Sequence, residues 1–197
     1  MNLNQTRFIT SAAKFGDCPE DSIVEVAFAG RSNAGKSSAI NSICDQTQLA
    51  RTSKTPGRTQ LLNFFAIEPA IYLVDLPGYG FAKVPLDIKH KWQQELEQYL
   101  RQREQLAGLI LLSDIRHPLK EFDRMMIDWA VKSNLPLHLL LTKSDKLKRG
   151  PAQNTLLRVS EELKEVIDVS VQLFSSVKKN GLSEVKSKIF EWTKINT

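Results

Sequence analysis

Gly30-Arg31-Ser32-Asn33-Ala34-Gly35-Lys36-Ser37 has the spacing G-x-x-x-x-G-K-[ST], and these residue types together do one kind of chemistry. Glycines let a backbone wrap a phosphate chain with its N–H groups turned inward, and a following helix adds the positive end of its dipole. Lys36 is then placed to reach the β- and γ-phosphates, and the Ser37 hydroxyl to ligate Mg²⁺. The motif requires a strand before it and a helix after it. Ser22 to Ala29 is apolar enough for a buried strand, and Ser38 to Cys44 continues as a helix. The pattern therefore implies a nucleoside triphosphate as ligand.

Two further motifs narrow the ligand. Asp75-Leu76-Pro77-Gly78 ends an apolar run and fits D-x-x-G, in which the carboxylate holds Mg²⁺ and the Gly78 N–H meets the γ-phosphate. Thr142-Lys143-Ser144-Asp145 ends another run and bears on the base. A carboxylate such as Asp145 only accepts hydrogen bonds, and guanine offers it two adjacent donors where adenine offers no matching pair. The expected nucleotide is GTP. The stem of Lys143 would lie along the base, and Ser175-Ser176 would turn a backbone N–H toward the guanine carbonyl oxygen.

The elements that must position these groups follow from the periodicity. Apolar strand-like runs at Gln60–Ile67, Ala70–Asp75, Leu106–Ser113, Leu135–Leu141 and Val169–Ser175 join the first strand and alternate with helix faces, the first pair as a hairpin around Glu68-Pro69. Ile88, Trp92, Leu96 and Leu100 form one such face; Leu119, Phe122, Met126 and Trp129 another. Leu156, Val159, Leu163 and Val166 mark a third, and Leu182, Val185, Ile189 and Trp192 a fourth. The alternation predicts a three-layer α/β fold, a mostly parallel six-stranded sheet with helices on both faces. The irregular stretches Gln46–Thr59 and Pro77–Pro85 fall where nucleotide-responsive loops belong, at the carboxyl ends of strands.

Composition sets the bounds. A chain of 197 residues predicts one domain, here read as a segment 1–21 packed through Phe8 and Ile9 on a domain spanning 22–197. With 42% hydrophobic and 25% charged residues and no apolar run near the about 20 residues of a membrane span, a cytoplasmic protein is expected. Cys18 and Cys44 lack metal-ligand spacing and are expected to be free thiols. The net charge of +5 favours anionic partners. Lys146, Lys148 and Arg149 follow the base motif, and Lys178 and Lys179 follow Ser175-Ser176, so two basic loops should meet at one end of the site. None of His90, His117 and His138 stands beside a nucleophile or at metal-ligand spacing.

At this point the chain resembles a known group. The four motifs in this order look like a small P-loop GTPase of the translation-factor class, with a Ras-like fold. More closely, Gly30 to Ser38, Lys54-Thr55-Pro56-Gly57-Arg58-Thr59-Gln60, Asp75-Leu76-Pro77-Gly78-Tyr79-Gly80 and Asp114-Ile115-Arg116-His117-Pro118 resemble the bacterial EngB (YihA/YsxC) GTPases across almost the whole chain. The resemblance implies a GTPase switch in assembly of the large ribosomal subunit, often needed for normal cell division. Its expected partners are ribosomal RNA and proteins of a large-subunit precursor, and it is expected to act as a monomer. It implies Mg²⁺ held by Ser37, Thr59 and Asp75, and nucleotide contacts from Gly30, Arg31, Ser32, Asn33, Ala34, Gly35, Lys36, Ser37, Ser38, Gly57, Arg58, Thr59, Asp75, Leu76, Pro77, Gly78, Thr142, Lys143, Ser144, Asp145, Ser175 and Ser176. Among Thr52, Ser53, Thr55 and Thr59, which residue physics leaves equivalent, the resemblance selects Thr59 as the switch hydroxyl.

Slow hydrolysis is expected, because Tyr79 stands where many GTPases carry a water-orienting glutamine. Lys36, Thr59, Gly78 and Asn33 are the residues expected at the reaction. Either Arg58 or K⁺ held partly by Asn33 could supply the charge stabilisation that glutamine-bearing sites share, and the sequence leaves both open. A phosphotransferase or an RNA-binding module with a vestigial site are the competing classes. The first needs no guanine-reading Asp145, and the second needs neither Lys36 nor Asp75.

Overall fold

The computed structural model describes residues 2–50, 61–78, 86–166 and 168–194. Strands β1 (Arg7–Ala12), β2 (Val24–Gly30), β3 (Leu62–Glu68), β4 (Ile71–Asp75), β5 (Leu106–Asp114), β6 (Leu137–Thr142) and β7 (Val169–Leu173) form one sheet in the order β1-β3-β4-β2-β5-β6-β7. Helices α1 (Lys36–Ile43), α2 (Leu86–Gln102), α3 (Glu121–Lys132) and α4 (Arg149–Glu162) lie between successive strands, and α5 (Leu182–Trp192) follows β7. β2, β4, β5, β6 and β7 pair in parallel, whereas β3 pairs antiparallel with both β4 and β1.

Two cores separate the three layers. Successive residues of β5 point to opposite faces, so Leu109 and Leu111 pack toward α2, α3 and α4 while Ile110 and Leu112 pack toward α1 and α5. On the first face Leu96, Tyr99, Phe122, Met126 and Val159 are buried, and on the second Ile40, Ile43, Val185 and Ile189. Trp129 and Trp192 are half-buried against these cores, and the side chains of Ile88 and Trp92 lie outside the described residues. Gly108 makes room for the Trp192 ring, since a Cβ there would lie 2.3 Å from a ring carbon.

Among the described residues the sheet has seven strands, not six. The extra strand is β1, whose sequence Arg-Phe-Ile-Thr-Ser-Ala carries no inward apolar alternation because half of it is exposed at the sheet edge. What holds it is the ladder to β3, with a register shift between Phe8 and Thr10, an edge-to-face contact of Phe8 with Phe65, and the Ser11 hydroxyl donating to Asn63 Oδ1 at 2.7 Å. Phe8 and Ile9 nevertheless remain 52% and 41% exposed, so pairing to β3 rather than burial of these two side chains fixes the segment.

The end of the sheet remote from the motifs carries a buried charge. Glu25 on β2 is fully buried and accepts from the Tyr99 hydroxyl at 2.6 Å and from Arg103 Nε and Nη2 at 2.9 and 2.6 Å. Arg103 also donates to the Pro19 carbonyl at 2.6 Å, and the Phe15 N–H donates to Glu95 on α2 at 3.1 Å. The network ties the C-terminal half of α2 to β2 and to the segment after β1. Burial and the adjacent Glu25 carboxylate push the Tyr99 phenol well above its ordinary pKa. Cys18 and Cys44 are buried free thiols, each pushed up to about 11 by burial.

Candidate functional site

The motifs meet at the carboxyl end of the parallel strands, where ligands bind in open α/β sheets. β2 stops at Gly30 because the chain must turn against β5: a Cβ on Gly30 would lie 3.0 Å from the Leu112 carbonyl oxygen. The loop then visits the left-handed region twice, at Asn33 (φ 65°) and Gly35 (φ 95°). Gly35 tolerates this without a Cβ penalty, and asparagine is among the residues that tolerate it best. Such alternation turns successive N–H groups toward one concavity, and α1 begins there with no side chain capping it among the described residues. Its first-turn N–H groups therefore face the same concavity. The helix starts two residues before the expected Ser38, which puts Lys36 and Ser37 in its first turn.

The D-x-x-G segment lies beside this loop. Asp75 ends β4 in register with Phe28 of β2, and the Leu76 N–H donates to the Phe28 carbonyl at 2.9 Å. A Cβ on Gly78 would stand 3.8 Å from the Ser32 Cα, so the Gly78 backbone borders the loop. Lys36 Nζ pairs with the Asp75 carboxylate, their side chains 11% and 12% exposed. A cation and a carboxylate side by side, with the Ser37 hydroxyl next in α1, suit a phosphate chain and a hard divalent cation respectively. Leu76 is buried and Pro77 follows it in the same border.

The T-K-x-D residues are joined to the phosphate loop directly. The Thr142 hydroxyl donates to the Ala34 carbonyl at 2.7 Å and to the Ser113 carbonyl at 3.2 Å. Lys143, itself left-handed at φ 58°, reaches back so that Nζ donates to the Asn33 carbonyl at 2.7 Å and pairs with Asp114 Oδ2 at 2.9 Å. The Ser144 N–H donates to the Phe174 carbonyl at 3.1 Å, binding the T-K-x-D turn to the end of β7. Asp145 Oδ1 accepts from the buried Ser175 hydroxyl at 2.6 Å, and that donation holds the Asp145 carboxyl below the ordinary carboxylate range. Ser175 Oγ in turn accepts from the Lys178 N–H at 3.1 Å, and Ser176 follows, half-buried.

The structure thus brings Gly30 through Ser38, Asp75 through Gly78, Thr142 through Asp145, Ser175 and Ser176 together at the carboxyl end of the parallel strands. Arg31 and Ser38 are exposed there. Gly57, Arg58, Thr59 and Tyr79 lie outside the described residues. The basic loops do converge: Lys146, Lys148 and Arg149 are exposed on one side of the Asp145–Ser175 contact, and Lys178 and Lys179 on the other. Sequence reasoning gives Asp114 no role. The apolar pattern ends its strand one residue earlier, at Ser113, although a carboxylate at the carboxyl end of a strand beside a phosphate loop is where such a role would be sought.

A phosphate-loop motif at a strand-to-helix turn, an adjoining D-x-x-G and a T-K-x-D turn bonded to that loop are the marks of a P-loop GTPase domain. A family model described as "50S ribosome-binding GTPase" matches residues 25–143, more than half of the chain. The chain belongs to the EngB family of GTP-binding proteins. It is 52% identical over 193 residues to a probable GTP-binding protein EngB of Vibrio parahaemolyticus, covering 98% of this chain and 88% of that protein. It is 55% identical over 193 residues to the Photobacterium profundum counterpart, covering 98% and 83%. Among solved structures it resembles a probable GTP-binding protein EngB at TM-score 0.67 and 22% identity, covering 86% of this chain and 98% of that one. It also resembles a variant of Era from Aquifex aeolicus bound to GDP·AlF₄⁻, at TM-score 0.66 and 18% identity over 88% of this chain and 57% of that one. These two structural likenesses support the fold. Membership makes the chain a GTPase, hydrolysing GTP to GDP and phosphate.

Proposed function

We propose that this chain is a slow GTP-operated switch that acts in the cytoplasm, as a monomer, on a precursor of the large ribosomal subunit. The observation that carries this reading is the direct bridging of the phosphate loop to the base-reading turn by Thr142 and Lys143, with two basic loops flanking that turn. It is supported by the family's description as ribosome-binding and by the net charge of +5. Among the described residues no helix is long and apolar enough to cross a membrane. The need in normal cell division that the family resemblance implies belongs to the same reading.

In this mechanism the left-handed residues Asn33 and Gly35 keep the loop N–H groups aimed at the β- and γ-phosphates, and Lys36 lies against them. Ser37, Asp75 and Thr59 are the residues that would hold Mg²⁺, whose charge would offset that of the phosphates. Lys36 and Asp75, paired with each other here, would then face the anion and the cation separately. Gly78 offers its N–H to the γ-phosphate with no side chain between it and Ser32. Asp145 accepts from guanine, and the Ser175 hydroxyl aims it. Hydrolysis is slow because Tyr79 cannot orient water as an amide does; Arg58, or K⁺ that Asn33 would help to hold, would supply charge stabilisation.

The test is cosedimentation with large-subunit precursor particles. Binding should be strong with a non-hydrolysable GTP analogue and weak with GDP, and Thr59→Ala should erase the difference while GDP still binds. Replacing Lys178 and Lys179 by Glu should weaken binding and flatten its salt dependence, because a lysine that no longer neutralises a phosphate no longer releases that phosphate's counterions. Binding that ignores both the nucleotide and these lysines would refute the proposal.

A further inference from the structure

We infer that Asp114 is a positioning residue for guanine-nucleotide binding, acting through Lys143. Asp114 ends β5 directly opposite Thr142 in the parallel ladder, so Lys143 leaves β6 beside it. The carboxylate is itself aimed from its own loop: Oδ1 accepts from the Arg116 N–H at 3.1 Å and from Arg116 Nε at 2.9 Å, and Oδ2 accepts from Arg116 Nη2 at 2.6 Å. A carboxylate held by a two-toothed guanidinium and a backbone N–H has a fixed orientation. The Arg116 fork, with help from Lys143, keeps its carboxyl well below the ordinary range, so it remains an anion for Lys143.

That anion fixes a side chain that is otherwise free to move. Lysine is a flexible stem ending in a point charge with no preferred direction. Here the ammonium is held between Asp114 Oδ2 at 2.9 Å and the Asn33 carbonyl at 2.7 Å, one partner on β5 and the other on the phosphate loop. The stem between a fixed Cα and a fixed ammonium must span the floor on which the base would lie. The Lys143 bond to its carbonyl also braces the Asn33 peptide in its left-handed conformation at φ 65°. Asp114 thus couples the shape of the phosphate loop to the platform for the base while touching neither ligand part.

This inference rests on the guanine-nucleotide reading of the site, and the experiment separates the two. GDP and IDP are titrated calorimetrically against the full chain, Asp114→Asn, Lys143→Met and the double variant, with urea unfolding of each as a check on the fold. Asp114→Asn should weaken GDP roughly tenfold, the scale of removing one charged hydrogen bond. IDP, which lacks the exocyclic amine, should weaken by the same factor, since a platform serves either base. In the Lys143→Met background Asp114→Asn should change GDP affinity less than about twofold. An equal drop in that background, or parent-like affinity in Asp114→Asn, overturns the inference. So does a larger drop for GDP than for IDP, because the effect would then run through Asp145. If Asp114→Asn does not fold, Asp114→Glu, which keeps the charge but displaces it, enters the same cycle with the same criteria. Failure of the parent chain to bind GDP would instead defeat the guanine-nucleotide reading itself.

Discussion

Replacing Asp145 by Asn changes one oxygen to an NH₂ group and reverses half of what the site can recognise. The Asp145 side chain is only 9% exposed, and its Oδ1 is already engaged by the Ser175 hydroxyl at 2.6 Å, so the group cannot rotate away from its aim without losing that bond. In the variant one guanine donor meets a weaker neutral acceptor, and the other meets a donor in a desolvated place. Hydrogen bonds to charged groups contribute about 1.5–3 kcal/mol, and a buried unsatisfied donor costs about 1–3 kcal/mol. Allowing for partial relaxation, the loss for GTP should be about 2–4 kcal/mol, or roughly thirtyfold to a thousandfold in Kd. Xanthosine triphosphate, with a carbonyl where guanine has its amine, should bind the variant within about tenfold of parent GTP affinity. Competitive titration of GTP and XTP against both proteins measures this exchange. Unchanged GTP affinity would refute the base assignment, and equal losses for both nucleotides would show that Asp145 holds the two loops together without reading the base.

Arg103→Met should destabilise the fold by about 3–5 kcal/mol in urea unfolding, since it strands the fully buried Glu25 with Tyr99 as its remaining donor among those described; adding Glu25→Gln should recover part of the loss, and a cost below about 1 kcal/mol would contradict the account. His138 is buried between Ser170 and Gln172, and burial lowers its pKa, with Lys188 and Glu191 the charged groups acting on it. Because the folded state resists protonation, stability present above the unfolded value of about 6.5 should fall as pH drops from there toward the lowered folded pKa. His138→Gln should lack that fall, and identical pH profiles would remove His138 from the explanation. Single-turnover hydrolysis should be faster in K⁺ than in Na⁺, and Asn33→Ala should abolish most of the difference while GDP still binds; equal rates would leave Arg58 or a partner's group as the source of charge.

The phosphate loop was legible because its chemistry requires fixed residue types at fixed spacing, and Gly30, Lys36 and Ser37 stand where the strand-to-helix turn needs them. Strands β2, β4, β5 and β6 were legible because both their faces are buried and nearly every residue is apolar. β1 was not, since an edge strand with exposed Arg7, Phe8 and Ile9 is specified by ladder bonds to β3 rather than by its own pattern. The pairing of Asp114 with Lys143 escaped for a similar reason: it depends on the β5–β6 register, which places Asp114 opposite Thr142 and which no local spacing encodes. Glu25 looks like a polar interruption of a strand, and only the approach of Tyr99 and Arg103, 74 and 78 positions away, makes a buried carboxylate tenable.

The network around Glu25 gives α2 the mechanics of a lever. Tyr99 and Arg103 fasten its far end to β2, while its near end at Leu86 follows the segment that begins with Asp75. From Leu86 to Tyr99 the helix is about 20 Å long at 1.5 Å per residue. A tilt of about 10° about that fulcrum would sweep the near end sideways by about 3 Å and leave Arg103 almost still. A partner gripping α2 near Leu86 would therefore move with any tilt of the helix, whereas one gripping it near Arg101 would be holding the fulcrum.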